Sequence, residues 1–115
     1  MKFHRIGKTA EIPLDEMRAF RVDGKRIVVY HLGTGFYATQ ANCTHMFAPL
    51  ARGKIIDGCQ VQCPLHRARF DIASGSVSEW ANFPIGIQLL NAVRGEKKLT
   101  TYPIEVRGED VFVRI

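Results

Sequence analysis

Cys43-Thr44-His45, followed after seventeen intervening residues (46 to 62) by Cys63-Pro64-Leu65-His66, is the stretch that decides the reading of this chain. Each short loop offers one thiolate and one imidazole, so the two together supply a complete four-donor metal set. A Cys-x-His tripeptide in extended backbone points both donors to one face, because strand side chains alternate with period two. Cys-Pro-Leu-His can fold as a turn that brings its end residues together, with Pro64 setting one backbone angle at its second position. Both loops can then grip the same centre.

Further motifs flank these loops in a consistent order. Leu50-Ala51-Arg52-Gly53 ends the run after His45, Phe70-Asp71-Ile72-Ala73-Ser74-Gly75 follows His66, and Tyr102-Pro103-Ile104-Glu105-Val106 lies near the end of the chain. Together with the ligand loops they resemble the soluble Rieske [2Fe-2S] ferredoxins, with their Leu-Ser-x-Gly turn, Phe-Asp-x-x-Thr-Gly segment and Tyr-Pro-Val-x-Val strand. The resemblance covers most of the chain. It implies a [2Fe-2S] cluster held by Cys43, His45, Cys63 and His66, with the cysteines on a buried inner iron and the histidines on an outer iron near the surface. It also implies one-electron transfer without substrate turnover, from a reductase to an oxygenase or another redox enzyme.

The ligand types set the electronics of such a site. Two ferric ions, two sulfides and two thiolates sum to zero charge beside neutral imidazoles, so an electron is added more easily than to an all-thiolate cluster. Cys2His2 is also a structural zinc set, and a zinc-binding module is the alternative for these four residues. Zinc modules pair Cys with Cys and His with His at short spacing, which the alternation of Cys-x-His with Cys-x-x-His matches poorly. A Rieske-like small subunit of a larger reductase or oxygenase, of the nitrite reductase type, is the other alternative.

At 115 residues with 46% hydrophobic content, the chain is expected to form a single domain over 1–115, burying roughly 60 to 70% of its unfolded surface. The cluster-binding part would occupy about 42–84. No stretch approaches the roughly 20 apolar residues of a membrane span, and no secretory hydrophobic region or twin-arginine signal opens the chain, so a cytoplasmic protein is expected. Three cysteines, two of them assigned to iron, imply no disulfide framework. Cys59 would lie roughly 13 Å from Cys63 along an extended strand and reads as a plain thiol. His4 and His31 match no ligand motif.

The fold class expected is all-β, an antiparallel sandwich or barrel. Strand-like runs are 17–22 and 26–32 around Asp23-Gly24-Lys25, 36–41 leading to the first ligand loop, 54–56 and 60–62 around Asp57-Gly58, 68–71, and a closing hairpin of 100–107 with 110–115. After Pro84, Ile85, Leu89, Leu90 and Val93 recur at helical spacing with Gly95 as a stop, which predicts a short helix over 85–94 within an insertion at 85–98. That helix would fold its apolar stripe onto the sandwich, or dock a partner with Trp80 and Phe83 as anchors.

Three departures from the family pattern sharpen the expectation. Ala48 and Leu65 stand where high-potential Rieske proteins carry a disulfide, and Ala68 and Phe70 stand where those proteins place Ser and Tyr hydroxyls near the cluster. Without those hydroxyls the reduced state loses hydrogen bonds, which places the potential in the lower half of a range of roughly −150 to +300 mV. Sixteen Lys and Arg against eleven Asp and Glu give a net charge of +5, and a basic carrier is steered toward an acidic docking surface on its partner. Arg67 and Arg69 would add positive charge beside His66, or pair with Asp71 or Glu79. The basic residues are scattered rather than clustered, so nucleic acid is not expected as a partner.

Overall fold

The structure, a computed structural model, describes residues 2–42, 49–64, 68–79 and 98–115. Eleven strands are present among them: β1 (Phe3–Lys8), β2 (Glu16–Val22), β3 (Lys25–Leu32), β4 (Gly35–Gln40), β5 (Lys54–Ile56), β6 (Gln60–Gln62), β7 (Arg69–Asp71), β8 (Val77–Glu79), β9 (Thr101–Tyr102), β10 (Ile104–Arg107) and β11 (Asp110–Arg114). They form three antiparallel sheets of order β1-β11-β10, β2-β3-β4-β9 and β5-β6-β7-β8. The helix expected over 85–94 lies outside the described residues. No helix among the described residues is long and apolar enough to cross a membrane.

The middle sheet owes its place to β3, whose run Ile27-Val28-Val29-Tyr30 is fully buried. Successive strand side chains point to opposite faces, so one strand can serve two cores only if it is apolar at consecutive positions. Ile27 and Val29 pack with Val22, Ala38, Ile12 and Val113 against the β1-β11-β10 sheet. Val28, Tyr30 and Leu32 pack with Val61, Phe70, Ile72 and Leu99 against the β5-β6-β7-β8 sheet. The Tyr30 hydroxyl ends in that second core, 2.8 Å from Thr39 Oγ1. Thr39 Oγ1 donates to the Gln40 carbonyl at 2.9 Å, which leaves it to accept from Tyr30. Burial, only partly offset by this bond, pushes the Tyr30 phenol well above its ordinary range, so the hydroxyl keeps its proton and its partner.

Both hairpins signalled by Asp-Gly pairs are present. Asp23 and Gly24 join β2 to β3, and Asp57, Gly58 and Cys59 join β5 to β6, the Cys59 N–H donating to the Ile56 carbonyl at 3.2 Å; both Asp-Gly pairs have positive φ, as a primed turn requires. The stretch 100–107, expected as one strand, is two. Pro103 lacks the N–H that a continuous ladder would use, and the chain changes sheet there. Thr101 and Tyr102 pair with β4, Ile104 to Arg107 pair with β11, and the Pro103 carbonyl accepts from the Arg114 N–H at 2.9 Å.

Ile27→Ala removes a fully buried side chain at the centre of the middle sheet and is expected to cost about 2–5 kcal/mol. Tyr30→Phe, which removes only the hydroxyl, should cost about 1–2 kcal/mol. Urea unfolding followed by circular dichroism would check this order.

Candidate metal centre

Cys43, His45 and His66 lie outside the described residues; Cys63 is described, and so are the necks from which both ligand loops emerge. The first neck follows β4. Asn42 bridges Pro49 in antiparallel fashion, and the Leu50 N–H donates to the Ala41 carbonyl at 2.9 Å. The second neck joins β6 to β7, where the Cys63 N–H donates to the Ala68 carbonyl at 2.7 Å. Ala41, Leu50, Cys63 and Ala68 all belong to one buried apolar cluster. The necks that flank 43–48 and 65–67 therefore share a common floor.

Cys63 is 1% exposed while its neighbour Pro64 lies at the surface. A thiolate at that depth, on an apolar floor, needs a positive partner to remain charged, and a metal ion supplies one. The donor set and the floor fit a buried sulfur-ligated iron. They give no carboxylate donors: among the described residues, no group of three or more His, Cys, Asp or Glu is arranged to hold a different metal.

Gln40, whose role the sequence did not signal, and Gly53, the last residue of the Leu50-Ala51-Arg52-Gly53 motif, hold the necks in place. Gln40 uses both ends of its amide: Nε2 donates to the Asn42 carbonyl at 2.8 Å, and Oε1 accepts the Thr100 N–H at 2.9 Å. It thus ties the first loop to the chain returning after residue 97. Gly53 lies where the chain enters β5, and a Cβ on it would collide with the Gln62 carbonyl. Its hydrogen side chain lets this turn close against β6 one residue before Cys63. No motif pointed to Gln40, since a polar residue ending a strand carries no sequence signal for a long-range clamp.

Cys59, His4 and His31 lie away from the necks. Cys59 is exposed in the turn at the far end of β6 from Cys63. His4 lies in β1, and His31 in β3 donates from Nδ1 to the Ile12 carbonyl at 2.8 Å while stacking on Phe36 at 4.1 Å. Ala68 and Phe70 are both fully buried beside Cys63 in the same cluster. Asp71 accepts from the Ser74 N–H and hydroxyl at 2.9 and 2.7 Å, while Arg69 lies opposite Glu79 in the β7–β8 register. Arg67, Trp80 and Phe83 lie outside the described residues.

Gly53→Ala would force β5 away from β6 at the second neck. The expected result is a loss of about 1–3 kcal/mol and a lower iron content per chain, read by metal analysis of the purified variant.

Comparison with known proteins follows this geometry. A sequence model of the Rieske [2Fe-2S] domain matches residues 2–103. The ferredoxin component of the naphthalene 1,2-dioxygenase system of Pseudomonas aeruginosa is 30% identical over 103 residues, covering 90% of this chain and 86% of that protein. Among solved structures, the ferredoxin of carbazole 1,9a-dioxygenase from Nocardioides aromaticivorans IC177 superposes with a TM-score of 0.80 at 24% identity, covering 98% and 97% of the two chains, which bears on the fold. A chain from a complex of reduced oxygenase and oxidized ferredoxin in carbazole 1,9a-dioxygenase matches at a TM-score of 0.76 and 26% identity, over 96% of this chain and 91% of that one. With its middle sheet, its paired loop necks and this match across nearly its whole length, the chain belongs to the Rieske [2Fe-2S] domain family.

Proposed function

We propose that this protein is a Rieske-type ferredoxin whose cluster is held by Cys43, His45, Cys63 and His66, and that the chain folds as one domain serving a multicomponent oxygenase. It carries electrons and is not itself an enzyme. The observation that supports this most directly is the common floor of the two loop necks, with Cys63 sealed inside and Pro64 exposed beside it. A [2Fe-2S] cluster, when bound, accepts and releases one electron at a time.

The chain's part is to hold and to insulate. Leu50, Ala68 and Phe70 keep water from the Cys63 side of the site, which limits the local dielectric and so helps set the potential. The Asn42–Pro49 bridge and the Cys63–Ala68 hydrogen bond fix the necks, so that a ligand set on the loops is placed before any partner arrives. His45 and His66, on the outer iron, would give the shortest path to a docked partner. The partners are a reductase on one side and an oxygenase component on the other; an oxygenase bound to its ferredoxin is the subject of one of the solved structures this chain resembles.

The test is electron paramagnetic resonance of anaerobically purified protein after dithionite reduction, with iron, sulfide and zinc measured on the same sample. A rhombic signal with two irons and two sulfides per chain is expected. An EPR-silent sample with bound zinc would overturn the proposal.

Ala68→Ser and Phe70→Tyr each add a hydroxyl at a fully buried position beside Cys63. If those hydroxyls bond to cluster sulfur they stabilise the reduced state, so each variant should raise the midpoint potential by tens of millivolts and the pair should raise it further. Redox titration followed by visible absorption would measure it, starting from a wild-type value in the lower half of the range of roughly −150 to +300 mV.

A further inference from the structure

The sheet that carries the second ligand loop is electrically polarised along its strands. Its register places Lys54, Gln62, Arg69 and Glu79 in one row at the end where Cys63 begins the loop. The row two residues away holds Ile56, Gln60 and Asp71, with Asp57 in the turn beyond it. β5 thus begins on Lys54 at the loop end and leads to Asp57 in the far turn, and β7 runs from Arg69 to Asp71; β8 alone of these strands places an acid, Glu79, at the loop end. The far carboxylates stay there: Asp71 is bound into the Ser74 turn.

At the loop end, Arg52, Gly53, Lys54, Gln62, Cys63 and Pro64 line an open cleft of about 240 Å³. Arg52 and Lys54 are exposed, and among the described residues neither makes an ion pair. Other cations are engaged elsewhere, as in Arg5 with Asp110 and Arg107 with Glu105 at 2.9 and 2.8 Å. No described lining residue of the cleft is acidic. Two cations unpaired among the described residues flank the entry to the loop, and with anions at the opposite end of the same sheet they form a dipole that would orient the loop end toward negative charge.

We propose that Arg52 and Lys54 are a docking rim that receives a carboxylate-rich patch on the redox partner and turns the loop end toward it. This rests on the carrier reading given above. Leu50, packed in the floor with Cys63, and the closed Gly53 turn hold the rim in fixed relation to the loop neck. The rim therefore sets orientation as well as attraction.

The test compares wild type with Arg52→Glu/Lys54→Glu and with a control, Lys8→Glu/Arg18→Glu, which makes the same change in net charge on β1 and β2. Each protein is reduced with dithionite and mixed in a stopped-flow instrument with anionic hexacyanoferrate(III) or with cationic tris(phenanthroline)cobalt(III). Binding of poly-L-glutamate is measured separately by calorimetry, a readout independent of the cluster. At low ionic strength the rim variant should react about tenfold more slowly with the anion, react faster with the cation, and lose poly-L-glutamate binding. The control should change much less, and the differences should vanish at about 0.5 M salt, where screening is short-ranged. Equal effects in rim and control variants, or none in either, would overturn the rim while leaving the carrier reading intact. Wild-type protein that shows no reducible signal before mixing would overturn the carrier reading, and the docking role with it.

Discussion

Burial of β3 on both faces is the constraint on which the other layers depend. Ile27 and Val29 serve one core, Val28 and Tyr30 the other, and all four are fully excluded from solvent. Among the described residues, each outer sheet closes against the face of β3 that it covers. A small domain has little surface to bury, so a single strand working in two cores is an economical arrangement. It also means that any disturbance of β3 reaches the floor under the ligand loops through Tyr30 and Val28.

That floor would let short loops hold the proposed centre. Loops are ordinarily the mobile part of a fold, and function placed on them depends on a rigid scaffold beneath. Here the scaffold is a pair of closed necks. One is stitched by the Asn42–Pro49 bridge and the Gln40 amide, the other by the Cys63–Ala68 hydrogen bond and the tight Gly53 turn. Both necks converge on residues of the same apolar cluster, so packing couples two segments that sequence separates by some twenty positions.

Charge adds direction to this scaffold. The net +5 of the chain would favour an anionic partner from any side, whereas exposed Arg52 and Lys54 beside the second neck, with Asp57 and Asp71 at the other end of that sheet, would favour approach at one end. The same strands that support the second ligand loop carry the polarity. Support and steering therefore come from one element.

The Rieske family, the Asp-Gly hairpins and the all-β class were legible in the residues alone, because each rests on local chemistry. Donor identity and spacing, left-handed turn residues and alternating apolar runs act within a few positions of the chain. The breaking of 100–107 at Pro103, the strand at Val77–Glu79 and the clamp by Gln40 were not legible, and each depends on a partner far away in sequence. Pro103 could have ended a strand or sat at its edge; the pairing of Tyr102 with Ala38 and of Ile104 with Val113 decided that it changes sheet. Sequence by itself determined which residues can bind metal and where the chain must turn, since those properties belong to side chains and local dihedrals. Only the tertiary structure decided that the two necks share a floor and that the cations line one end of a sheet, since strand register brings those residues together.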